Sequence, residues 1–226
     1  MRRQAGLTLV ELMISLGLLA TMMFLAWSAT RGTITIKKSL EKTQVRNHEI
    51  RVGMALMVRD ISSAYLSANE NTNATSDNRR TLFVGKSSST VDQLRFSTLA
   101  HSPMWANANE SEQTQIQYLA ESDPDDSGTT NLVRREQRRL SSENYKNELA
   151  EFDIVLHNIK RVRFEYWDWR DKDWKERWDS TQADAERNRL PTRVRITIEV
   201  ENEAGKEFKF TTQARIMMQE ALNVVL

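Results

Sequence analysis

"RRQAGLTLVELMISLGLLATMMFLAWSAT", residues 2–30, decides how the rest of the chain is read. From Leu7 to Thr30 the only charged side chain is Glu11. A helix over that stretch would be about 36 Å long, enough to cross a hydrocarbon core of about 30 Å. Arg2 and Arg3 precede it, and Arg31, Lys37 and Lys38 follow it. A secretory signal has an apolar stretch of only about 7–15 residues before a small-residue cleavage site. The run here is longer, although "AWSA" (26–29) has the composition of such a site. A plain single-span anchor is the other simple reading. Neither accounts for Glu11.

A carboxylate at the bilayer centre costs about 2.5–3.5 kcal/mol, and less near an interface. Glu11 could sit at the membrane surface and reach water. Alternatively, processing could supply a positive partner. Cleavage between Gly6 and Leu7 would create an α-amino group at Leu7, with Glu11 fifth in the mature chain. Glu11 of one subunit could then pair with the Leu7 ammonium of another. In low dielectric that pairing favours one register of assembly, whereas an isolated carboxylate is penalised.

"AGLTLVELMISL" (5–16) resembles the class III signal of type IV pilins and type II secretion pseudopilins. It has a short basic leader, Gly6 before the cut, an apolar first mature residue, Thr8 next and Glu11 at the fifth mature position. The family usually begins its mature chain with Phe, so Leu7 is a mild departure. The resemblance implies cleavage by prepilin peptidase after Gly6, N-methylation of Leu7 and a role for Glu11 in subunit assembly. It divides the chain into a leader (1–6), a transmembrane and filament stem (7–30), an amphipathic half of the same helix (31–67) and a periplasmic head (68–226).

Composition sets the remaining bounds. The 226 residues are 39% hydrophobic and 28% charged, with a formal net charge of +1, which points to neither nucleic acid nor an acidic partner for the chain as a whole. Cysteine is absent, removing disulfides, thiolate catalysis and thiolate metal sites together. Beyond Arg31, Ile50, Met54, Met57 with Val58, Ile61 and Tyr65 recur at steps of three or four, with Arg51, Arg59 and Asp60 placed away from that stripe. Gly32 and Gly53 would each weaken the helix by about 1 kcal/mol, so an interrupted helix over about 7–67 is expected.

"SANENTNATSDNRR" (67–80) reads as a loop. Short β-like runs follow at 81–84, 93–99, 114–120 and 131–137. Clearer strands come late, where Val162, Phe164 and Tyr166, then Val194, Ile196, Ile198 and Val200, alternate with polar residues. Phe208 and Phe210 continue the pattern after "ENEAGKE", whose Gly205 suits a hairpin turn. The expected fold is α+β and pilin-like, a long N-terminal helix packed on an antiparallel sheet. "IKRVRFEYWDWRDKDWKERWDS" (159–180) followed by "LPTRVRITIEVE" (190–201) resembles the C-terminal half of GspJ-type minor pseudopilins, and "MALMVRDISSA" (54–64) resembles the end of their first helix.

That resemblance implies a bacterial inner-membrane protein, single-pass, with its head in the periplasm. After processing it would join a pseudopilus tip with I- and K-type minor pseudopilins, an H-type subunit being a further candidate, together with the major pseudopilin. The tip would initiate the filament and support export through the outer membrane. A PilW-like minor pilin of a type IV pilus is the alternative.

Other motifs weigh less. "DPDDSG" (123–128) opens like a calcium loop, but its twelfth position is Arg134 instead of the required Glu, so a solvated turn is favoured and no metal is expected. "RREQRR" (134–139) could meet phosphate, yet Glu136 interrupts it and no aromatics are interleaved, so a solvated strand edge or loop is favoured over nucleic acid. His48, His101 and His157 fall in no metal-ligand spacing, and no nucleophile motif or phosphate loop is present. Neither catalysis nor a cofactor is expected. Trp167, Trp169, Trp174 and Trp178 are either core or a partner interface, since four Trp so close are hard to bury in one sheet.

Overall fold

The computed structural model describes residues 8–69, 79–101, 112–123, 126, 128–137, 151–182, 185–202, 205–219 and 221–222. The chain divides into two compact units, Met1–His48 and Glu49–Leu226. One helix, α1 (Leu9–Ser62), begins in the first and ends in the second. In the first unit its apolar residues lie bare: Leu9, Met13, Met22, Phe24 and Trp27 are all exposed. The stretch Leu9–Arg31 is 23 residues long, long and apolar enough to cross a membrane.

Within the second unit the expected stripe is where the core meets the helix. Ile50, Met57, Ile61 and Tyr65 are buried, with Met54 and Val58 packed against them. The helix runs through Gly53 without a break. A Cβ there would lie 2.9 Å from Leu156 Cδ2 and 3.1 Å from Val155 Cγ1, so this glycine permits a close approach of strand to helix and does not interrupt it.

Among the described residues, ten strands form two antiparallel sheets instead of the single sheet expected. The first is six-stranded, in the order β5-β4-β3-β2-β1-β8. Its members are β1 (Phe83–Lys86), β2 (Gln93–Thr98), β3 (Thr114–Ser122), β4 (Thr130–Gln137), β5 (Glu151–Leu156) and β8 (Trp178–Asp179). The second is four-stranded, β10-β9-β6-β7. It contains β6 (Arg161–Asp168), β7 (Asp173–Lys175), β9 (Arg193–Glu201) and β10 (Glu207–Arg215). The β9–β10 turn is the expected hairpin, with Gly205 at φ 74° and its N–H donating to the Asn202 carbonyl at 2.9 Å.

Period-two burial explains why these segments are strands. In β6, Val162, Phe164 and Tyr166 point inward; in β9, Val194, Ile196, Ile198 and Val200 do. They join Phe83, Phe96, Ile116, Tyr118 and Leu132 of the first sheet in one core. Aromatic rings link the sheets, Phe83 to Tyr166 at 5.9 Å edge-on and Tyr118 to Phe164 at 6.4 Å. Buried Asp92, in the approach to β2, also stitches them. Its Oδ2 accepts from the Phe164 N–H at 2.9 Å, and its own N–H donates to the Val162 carbonyl at 3.0 Å.

Candidate functional site

The helix start is a reciprocal cap. Glu11 N–H donates to Thr8 Oγ1 at 3.3 Å, while Thr8 N–H and its hydroxyl both donate to Glu11 Oε2 at 3.1 Å. Thr8 and Glu11 are the first and fourth residues of a Ser/Thr-x-x-Glu capping box, which satisfies two otherwise orphaned helix donors and places an anion at the positive end of the helix dipole. Among the described residues Glu11 Oε1 takes no partner. The three-residue spacing of Thr8 and Glu11 carried this signal in the sequence, and reading Glu11 only as an unmatched charge overlooks it. The hydroxyls farther along are also matched within the helix. Ser15, Thr21 and Thr30 donate to the carbonyls of Glu11, Leu18 and Ala26 at 2.6 to 2.8 Å. Gly6 and Leu7, the expected cleavage and methylation positions, lie outside the described residues.

The four tryptophans do not act together. Trp178 belongs to the core: it is 1% exposed, lies 6.4 Å from the Tyr166 ring, and its Nε1 donates to the Arg189 carbonyl at 3.0 Å. The strand that carries it, β8, pairs with β1 of the six-stranded sheet. This corrects its inclusion in a partner interface. Trp167 and Trp174 are cross-strand partners on β6 and β7, with ring centroids 5.3 Å apart. The Arg195 guanidinium lies 3.9 Å over the Trp174 ring and hydrogen-bonds Glu165 at 3.1 Å. Trp169, in the β6–β7 turn, is 53% exposed.

A buried ionic group holds that turn. Asp168 receives Arg189 Nη1 at 3.1 Å, Lys175 Nζ at 2.9 Å and the Arg170 N–H at 3.0 Å. Burial alone would push the Asp168 carboxyl up, but these donors outweigh it and hold the group well below the usual carboxylate range. Hydrogen bonds from Lys175 to Asp171, Asp168 and Glu186 raise the lysine against the opposing effect of its burial.

A second ionic cluster fastens the end of α1 to the first sheet. Asp60 is fully buried, which corrects its expected place away from the core. Its Oδ2 accepts Arg134 Nε at 2.6 Å and Tyr118 Oη at 2.8 Å, and its carbonyl accepts Thr98 Oγ1 at 2.8 Å. Arg134 also donates to Glu136 at 2.7 Å, and Glu136 meets His101 Nδ1 at 2.7 Å. The solvated edge expected at 134–139 is therefore corrected for Arg134, which is buried on an interior strand. Burial works against the Glu136 charge, yet Arg134 keeps its carboxyl below the ordinary value. In the expected calcium-like turn, Asp123 accepts from Asn131 at 3.0 Å and Asp126 from the Gly128 N–H at 3.1 Å. Residues 124, 125 and 127 lie outside the described residues.

Comparison with known proteins agrees with this arrangement. A family model described as "Type II secretion system (T2SS), protein J" matches residues 28–210, and one described as "Prokaryotic N-terminal methylation motif" matches residues 1–27. No curated protein sequence matches the chain. Among solved structures, a chain of the GspK-GspI-GspJ complex from enterotoxigenic Escherichia coli is similar, with TM-score 0.50 and 14% identity over 75% of this chain and 97% of that one. A type IV-like pilin from Thermus thermophilus reaches TM-score 0.48 at 10% identity over 75% of this chain and 94% of its own. At such identities the likeness to the E. coli chain concerns the fold, an α+β head on an N-terminal apolar helix. With the methylation motif at its start and the family model over most of the remainder, the chain belongs to the type II secretion system protein J family and is a minor pseudopilin.

Proposed function

We propose that this minor pseudopilin is cut after Gly6 by prepilin peptidase, N-methylated at Leu7, and drawn from the bacterial inner membrane into the tip of a pseudopilus. The I- and K-type minor pseudopilins are its partners there, and the major pseudopilin extends the filament below. The solved complex of GspK, GspI and GspJ supports that choice of partners by its composition. Its contribution to export is shape and nucleation of the filament; the chemistry belongs to the peptidase that processes it.

The observation that carries this reading is the cap at Thr8 and Glu11 at the head of a bare apolar helix. Inside one chain, the carboxylate spends Oε2 on its own helix start, which lowers the penalty of holding it in lipid while the subunit waits. Oε1 stays available for the Leu7 ammonium of a neighbour. An exchange of lipid for neighbouring stems leaves the apolar contacts nearly neutral, so the carboxylate–amine pair decides register.

The experiment is mass spectrometry of the mature N-terminus combined with filament incorporation of Glu11→Gln. A chain starting at methylated Leu7, and a variant processed normally but missing from filaments, is the expected result. A mature start near Ala29, or undiminished incorporation of the variant, would overturn it.

A further inference from the structure

We propose that the outward face of the four-stranded sheet, at the end bearing the β6–β7 turn, is a docking surface for a carboxylate-rich face of a protein partner. Strand register puts four residues in one row across the sheet: Trp174 opposite Trp167, Trp167 opposite Arg193, and Arg193 opposite Arg215. All four occupy the face opposite to Val162, Phe164, Val194 and Ile196, which point into the core. Arg163 lies two rows farther along the same face, opposite Thr197. Arg195 adds its guanidinium over Trp174.

Arg193 and Arg215 are like charges placed directly across an antiparallel ladder, an arrangement that destabilises a sheet. Both are exposed, and together with Arg163 they form no ion pair among the described residues. At the far end of the same face a like pair also stands across the ladder, Glu201 opposite Glu207, but Lys160 bridges both carboxylates, and Lys209 stands 3.7 Å from Glu199. The net charge of the whole chain is +1, so the cationic end is a local feature and no overflow from a basic protein. A like pair left without a counter-charge at one end, where the like pair at the other is bridged by a lysine, is what a face complementary to external carboxylates requires.

The neighbouring rings decide the class of occupant. A free phosphate or a lipid headgroup would use the guanidiniums and leave the Trp pair unused. A protein surface uses both, and Trp with Arg is the composition of interface hot spots. The platform is also held still, because buried Asp168 ties Arg189, Lys175 and the turn N–H together, so little side-chain ordering is required on docking.

The test uses the full chain in detergent micelles, with poly-L-glutamate as the probe and tryptophan fluorescence as the readout. Saturable quenching is expected, weakening at least tenfold as NaCl rises from about 0.05 M to about 0.5 M. Arg193→Glu should weaken binding at least tenfold. It should also raise the melting temperature by about 1–3 °C, because a repulsive cross-strand pair becomes an attractive one. Lys86→Glu, on the other sheet, should leave binding unchanged, and R193K should retain most of it. Binding that ignores R193E, or that falls equally with K86E, would overturn the proposal. So would R193E-sensitive binding to phosphatidylglycerol vesicles without binding to poly-L-glutamate, which would assign the face to lipid.

Discussion

The stem and the head solve the same problem in opposite ways. Along Leu9–Arg31 the large apolar side chains are exposed, and none of the described residues covers them. In the head, Ile50, Met57, Ile61, Phe83, Phe96 and Tyr118 have essentially no exposed surface. The ionised groups divide likewise. Glu11 holds one oxygen on its own helix start, whereas Asp60 gives one oxygen to its neighbour Arg59 and the other to Tyr118 and Arg134, far along the same chain. A region whose demands are unmet internally is built for an external environment, which in the proposed function is first lipid and then neighbouring stems. A region whose core demands are mostly met within the chain is built to keep its shape.

The comparison breaks most sharply at Glu11. Glu11→Gln keeps the acceptor that Thr8 uses but removes the charge, so the helix start should survive while assembly fails. Filament incorporation should fall by an order of magnitude or more, with the melting temperature of the head unchanged. Scoring pseudopili by immunogold alongside a melting curve of the same preparation separates the two readouts. A fall in head stability would show that the stem is not independent in the way the packing indicates.

Asp60→Ala is the opposite case and ranks second. It leaves Arg134 buried with only Glu136 as a partner and strips Tyr118 of its acceptor. Breaking a buried pair at one side costs about 3–5 kcal/mol. Denaturant unfolding of the head should report that loss. A D60L/R134M double variant should recover a good part of it, since removing both charges leaves no orphan.

Gly85→Ala comes third. A Cβ at Gly85 would sit 2.0 Å from Tyr166 Oη and 2.3 Å from its Cζ, so the ring would have to move within the core. Overpacking of this kind costs about 1–3 kcal/mol. A melting curve indistinguishable from the wild type would show that Tyr166 has room to turn.

Much of this was legible in the sequence and some was not, for physical reasons. The stem was legible because a run with one charge has few other uses, and β6, β9 and β10 because alternation reports which face is buried. Gly205 marked its turn because a positive φ favours glycine. Asp60 was misplaced because helical periodicity reports polarity, and a polar residue whose partner lies 74 positions away looks the same as a solvated one. Arg134 was misplaced with it, as its opposite half. β5 escaped notice because it is a short edge strand whose apolar Phe152 and Ile154 are exposed, so its alternation does not report a buried face. Trp178 escaped because the two-residue β8 leaves its neighbours' sheet to close the other one. The row of Trp and Arg could not be seen until register was known, since no residue in it touches another along the chain.

The smallest effect is the acid response of the head. Asp168 and Glu136 both carry carboxyls held below their ordinary values in the folded state, Asp168 by Arg189, Lys175 and the Arg170 N–H, Glu136 by Arg134 and His101, in each case against the effect of burial. A lowered folded value means the stabilisation is fully present above the unfolded carboxylate range, near pH 4, and is lost as pH falls through the folded value. Stability should therefore be flat with respect to these two groups from about pH 5 to pH 8 and decline below about pH 4, by on the order of 1 kcal/mol per pH unit for each group. Arg189→Met should flatten the Asp168 share of that decline, while leaving the Glu136 share as it was. Urea midpoints measured at intervals across the acid range read this directly. An acid limb in R189M as steep as that of the wild type would mean that the turn beside the Trp pair is held by Lys175 alone, and that the platform on the outer face is less rigid than its hydrogen bonds imply.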